Sequence, residues 1–179
     1  SPFRQENFSI TGASLVSQLT DMVGSDAAER LLAHYGTPAA DADATALAAT
    51  IAVDALRAEQ AVVAEFRAGR PTYTYQFTHV MPGPDAAAWG AFHTADVPYF
   101  LNVLSDKRAP YWDDADRELG GLLSGCLYRF ALTGVPGGAG VVWDSGAESS
   151  AVLDVPFAQM PLDTDELEVF KDYYRNLLK

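Results

Sequence analysis

Only one stretch of this 179-residue chain, Thr72–Val80 (TYTYQFTHV), has the β-branched and aromatic alternation of a strong β-strand, bounded by Pro71 and the Pro82-Gly83-Pro84 turn. Two weaker strand candidates follow, Gly140–Trp143 and Ala151–Val155. A sheet of two or three strands is marginal alone, because it cannot bury enough of either face. The rest of the chain is patterned for helix. It is therefore expected to contribute a few strands and several helices to something larger than itself.

The helical signals are local and regular. Leu15, Val16, Leu19, Met22 and Val23 share one face of a helix predicted over Ser14–Val23. Ser25 or Asp26 opens a second helix through Tyr35, stopped by Gly36 and Pro38. The Ala-rich run from Asp41 to Ala68 predicts one or two longer helices ending at Gly69 and Pro71. Residues 85–110 predict a long packed connection, too apolar for disorder with Trp89, Phe92, Tyr99, Phe100 and Leu101. Asp113–Leu132 is the clearest helix, with Leu119, Leu122, Leu123, Cys126, Leu127 and Phe130 at helical spacing. Asp113, Asp114 and Asp116 sit in its first turn, where they complement the helix dipole, and Gly134 and Pro136 end it. A terminal helix is predicted over Asp163–Lys179.

Charge and cysteine content narrow the function classes. A formal net charge of −12 with 12 Lys+Arg residues gives no clustered cations for phosphate backbones, so neither nucleic acid nor an anionic membrane is an expected partner. No run approaches the roughly 18 consecutive apolar residues of a membrane span. A single cysteine, Cys126, excludes an internal disulfide framework and a cysteine-based metal cluster without indicating a compartment.

Three histidines are the candidate chemical groups: His34, His79 and His93. No pair has a zinc-type spacing. His34 falls in the last turn of a predicted helix, where an imidazolium suits the carbonyl dipole. His79, at the end of the aromatic strand, is expected to face solvent. His93 lies on the apolar connection after that strand, the place where α/β folds put function. A general base there needs a nucleophile, and no G-x-S-x-G elbow occurs; Ser14, Ser124 and Ser145 lack the glycine pattern, one two residues before and one two residues after, that the strained strand-turn-helix requires. The chain holds a base without a serine to activate.

The segment Gly90-Ala91-Phe92-His93-Thr94-Ala95-Asp96-Val97-Pro98-Tyr99-Phe100 resembles the histidine stretch of type-B carboxylesterases, the group of cholinesterases and para-nitrobenzyl esterases. Pro71–Phe77 resembles the P-x-Y-x-Y-x-F strand that precedes it there, and Asp54 resembles a helix aspartate common in the family. Tyr128–Pro136 resembles the end of the following helix, W-x-x-F-A-x-T-G-x-P, and Trp143 the tryptophan of a W-P-x-Y turn. These pieces occur in family order over most of the chain. Asp96 departs from the usual glutamate, Tyr128 from the usual tryptophan, and no proline follows Trp143.

The resemblance implies an α/β class, the C-terminal part of one α/β-hydrolase domain completed by a separate N-terminal portion. Residues 14–68 would be its helical region, and 72–179 its final strands, histidine loop and helices. It further implies carboxylic ester hydrolysis with His93 as catalytic base of a Ser-Glu-His triad, on a small-molecule ester and with no metal or organic cofactor. The serine would lie on the N-terminal portion. Ser1-Pro2-Phe3 resembles the tail of the motif that holds the triad acid, which puts the glutamate just before residue 1; Glu6 is the rival. Two alternatives remain: a non-catalytic, cholinesterase-like adhesion or interaction module, and a free-standing α-rich module with His93 in its core.

Overall fold

A computed structural model describes residues 9–67, 69–104, 111–138 and 140–179. Glu6 and Ser1–Phe3 lie outside the described residues, as do the last residues of the 85–110 connection. The elements are α1 (Gly12–Val23), α2 (Ser25–Tyr35), α3 (Thr45–Phe66), β1 (Tyr75–Phe77), α4 (Ala86–Trp89), α5 (Val97–Phe100), α6 (Asp114–Thr133), β2 (Ser149–Leu153), β3 (Ala158–Pro161) and α7 (Asp165–Leu177). No helix among them is long and apolar enough to cross a membrane.

The chain divides into two compact units, residues up to 66 with 162–179, and residues 67–161. The first is helical. Leu15, Leu19, Leu31, Leu32, Ile51, Val62 and Phe170 are buried there, each apolar side chain contributing about 1.5–3 kcal/mol by leaving water. Alanines 55, 58, 61 and 64 keep α3 thin on its buried face, which suits close helix packing, and α3 makes its main contact with α7. The terminal helix thus belongs with the first three helices, not with the segment it follows in sequence. α1 opens with Thr11 capping the Ser14 amide at 3.3 Å. Gly12 is required there, because a β-carbon would collide with the Ala39 carbonyl oxygen. In the same unit Tyr35 Oη donates to Asp54 Oδ2 (2.7 Å), and Arg57 pairs with Asp54 Oδ1 (2.7 Å).

The second unit is built on a three-stranded sheet in the order β1-β2-β3, with β1 parallel and β3 antiparallel to β2. Tyr75 lies opposite Ala151 and Phe77 opposite Leu153, so these four side chains share one face. They join Tyr99, Trp112, Leu119, Leu123, Cys126 and Trp143 in one hydrophobic cluster. Trp143 is buried there, and its Nε1–H donates to the Thr74 carbonyl (3.1 Å). α6 begins with a reciprocal capping box: Asp113 accepts from the Asp116 amide (3.0 Å), and Asp116 from the Asp113 amide (2.8 Å). It ends at Gly134, whose φ of 77° is left-handed.

Several sequence expectations change here. The strand over 72–80 shortens to three residues, because a strand extends only where a neighbour pairs with it. Gly140–Trp143 is not a strand; Val141 makes a single bridge to Gly138. β3, unmarked by alternation, exists through its pairing with β2. The long connection carries the two short helices α4 and α5. The apolar stripe of α6 is only partly covered: Leu119, Leu123 and Cys126 are buried, whereas Leu127 and Phe130 are exposed.

Candidate active site

His93 lies between α4 and α5 on the connection after β1, and its side chain is exposed. The backbone around it is unusual. Gly90 has a φ of 55°, and Thr94, directly after His93, has a φ of 70°. A β-branched residue in the left-handed region costs roughly 1–3 kcal/mol and persists only where surrounding structure holds it.

The hold is visible on the residues that follow. Tyr75 Oη, from β1, donates to Asp96 Oδ2 (2.8 Å) at the start of α5. Burial, the bond to Asp96 and the carboxylate charge all push the Tyr75 hydroxyl well above its ordinary range, so it stays a donor. Three residues later Tyr99, fully buried, donates to Asp116 Oδ1 on α6 (2.7 Å). Tyr99 also packs edge-on against Trp112 and His79. Asp96, where the related motif usually has glutamate, is thus the acceptor for a strand tyrosine.

His79 corrects the expectation that it faces solvent. Its side chain is 13% exposed and sits between two carboxylates, with Nδ1 at 2.8 Å from Asp154 Oδ1 and Nε2 at 3.0 Å from Asp116 Oδ1. Asp116 is 1% exposed, and its two oxygens accept from His79, Tyr99 and the Asp113 amide. Asp154, just after β2, also accepts from Thr78 Oγ1 (3.0 Å) and the Val155 amide (2.8 Å). Burial would lower the pKa of His79, but hydrogen bonds and charge from Asp116 and Asp154 outweigh it and raise the value above the usual imidazole range. These contacts span 37 and 75 residues of sequence, which no local pattern reports. The one available signal was Asp116: of three acids in one helical turn, it falls three positions before Leu119 on the apolar stripe.

The other sequence candidates are not members of this hydrogen-bonded network. His34 occupies the last turn of α2 with its ring edge-on to Tyr35. Cys126 is buried, its thiol pushed up by burial against the lowering influence of Arg129. Phe92, next to His93, lines a cavity of about 540 Å³ with Met81, Gly83, Pro84, Asp85, Ala86, Trp89 and Tyr111. Tyr99 is fully buried in the core cluster. Among the described residues no cluster of His, Cys, Asp or Glu has the arrangement of a metal site.

Parallel β1 and β2 backed by α6, with a histidine loop leaving the end of β1, are a portion of an α/β-hydrolase fold. A family model for the carboxylesterase family matches residues 12–168, and the chain belongs to that family. The structure is similar to a PNB esterase at a TM-score of 0.66 and 19% identity, covering 91% of this chain and 34% of that one. It is also similar to a thermophilic PNB esterase, at a TM-score of 0.65 and 19% identity, covering 93% of this chain and 34% of that one. The chain thus spans about a third of the length of these solved relatives. No curated protein sequence matches it.

Proposed function

We propose that this chain is the C-terminal part of a carboxylic ester hydrolase and supplies its catalytic histidine, His93. The observation that carries this reading is the loop itself: a histidine between α4 and α5 on the connection that follows β1, beside a left-handed threonine, on a segment tied down at Asp96 and Tyr99. In the reaction His93 takes the proton of a serine on the N-terminal portion as that serine attacks the ester carbonyl, then gives it to the leaving alcohol. It next removes a proton from the water that hydrolyses the acyl-enzyme. The triad acid, assigned to the preceding portion, fixes the tautomer of His93 and stabilises its charged form. The substrate is a small-molecule ester, and no cofactor takes part.

Two surfaces support the partnership with an N-terminal portion. β1 is the terminal strand of its sheet, with its second edge unpaired among the described residues, and such an edge is a template for another strand. Nearby, Tyr73, Tyr75, Phe100, Cys126, Leu127, Phe130, Pro136 and Trp143 line an apolar groove of about 290 Å³. Tyr128 and Leu132 of α6 are 66% and 67% exposed and offer further surface for such a portion to cover.

The test is His93→Ala in the assembled esterase with a short-chain nitrophenyl ester. Hydrolysis should fall by several orders of magnitude, as removal of a triad base does. Undiminished turnover would remove His93 from the mechanism. Labelling of the wild type by a serine-directed phosphonate separates an esterase from a non-catalytic relative, which would take up none.

A further inference from the structure

The residues that hold the His93 loop meet at one group that plays no part in the triad. Tyr99, six residues after His93, is bonded to Asp116; Asp116 is bonded to His79; His79 is bonded to Asp154. The histidine therefore joins the end of β1, the first turn of α6 and the end of β2, and through Tyr99 it reaches α5. Asp116 is almost fully buried, so this is an interior junction and not a surface ion pair.

The chemistry of the junction sets the protonation state of its hub. A carboxylate oxygen only accepts, and both ring nitrogens of His79 face one, at 2.8 and 3.0 Å. A neutral ring carries one N–H and one lone pair, and in either tautomer the lone pair would point at a carboxylate. Only the imidazolium donates on both sides. The ionisable groups facing it are Asp116 and Asp113 from α6, Tyr99 from α5 and Asp154 after β2. All are acids or phenols, so none of these groups opposes the positive charge, and their bonds and charges outweigh the burial that does.

We infer that His79, as an imidazolium clamped between Asp116 and Asp154, is a positioning residue that holds the His93 loop in its working geometry for ester hydrolysis. The inference rests on the reading of His93 as the base. When the proton leaves His79 for water at high pH, one of the two bonds becomes a repulsion and the loop loses its anchor. The base and the clamp therefore control opposite limbs of the pH profile. His93 must be neutral to accept a proton, which limits the acidic side, and His79 must be charged, which limits the alkaline side.

The experiment measures kcat and KM for 4-nitrophenyl acetate from pH 5 to about pH 10 on the assembled esterase. It compares the wild type with Asp154→Asn, His79→Gln and His93→Ala. Asp154 is partly exposed, so its amide variant is the mild perturbation. With one carboxylate gone His79 releases its proton more easily, and the alkaline limb of kcat should move down by about one pH unit. The acidic limb and KM should stay where they are. His79→Gln should lower kcat roughly 10- to 100-fold at the optimum, the scale of a small misplacement of a catalytic group, and abolish the alkaline limb. A wild type with no alkaline limb, or an Asp154→Asn limb that coincides with it, overturns the clamp. If His79→Gln does not fold, the Asp154→Asn profile decides alone. Retained activity in His93→Ala refutes the base assignment instead, a result separate from either limb.

Discussion

Tyr99→Phe tests the buried junction with the least collateral change. The ring stays, and with it the packing against Phe77, His79 and Trp112 at centroid separations of 5.4, 5.3 and 6.1 Å. What leaves is the hydroxyl that donates to Asp116 Oδ1 over 2.7 Å in a site with no solvent access to either partner. Bonds to charged acceptors contribute about 1.5–3 kcal/mol each. Asp116 keeps His79 and the Asp113 amide, so it is not stranded, and the lower half of that range applies. The expected destabilisation is about 2 kcal/mol, a factor of up to about thirty in the folding equilibrium. Urea unfolding of the assembled protein, followed by tryptophan fluorescence, should show a lower midpoint with an unchanged slope. A loss below about 0.5 kcal/mol would refute the claim that this bond is made to a buried charge. A changed slope would mean that the variant altered the compactness of one of the states and that the midpoint does not measure the bond.

Other perturbations have different signatures. Because the folded pKa of His79 is raised, its contribution to stability is complete below the unfolded value of about 6.5 and is lost as pH rises through the folded value. The stability gap between the wild type and His79→Gln should therefore shrink on the alkaline side, and a gap that widens with pH would reverse the sign of the argument. Leu123→Ala removes a fully buried side chain from the second unit and should cost about 3–4 kcal/mol in unfolding experiments. Arg175 pairs with Glu65 at 2.6 Å and with Glu168 at 3.0 Å, but all three side chains are a third or so exposed. Arg175→Ala should cost only about 1 kcal/mol or less, and raising the salt concentration should erase most of that difference.

The sequence alone determined the features whose causes are local. α1, α2 and α6 were legible because apolar residues recur at helical spacing, and caps such as Asp113 and Gly134 satisfy helix ends within a few residues. The placement of His93 was legible for a related reason: strand, proline-glycine break and histidine loop lie in order along the chain, and the motif around His93 resembles that of an esterase. Tertiary structure decided everything that depends on partners distant in sequence. Thr72–Val80 has strand character throughout, yet only Tyr75–Phe77 form the strand, because only they lie in register with Ala151–Leu153 of β2. β3 lacks alternation and is a strand because β2 lies beside it. His79 at a strand end has the local pattern of a solvent-facing residue. Its role arises when folding brings Asp116 and Asp154 to its two nitrogens and their charges outweigh the cost of its burial. The loop position of His93 could be seen from the residues around it, but the junction of His79 with Asp116 and Asp154 exists only in three dimensions.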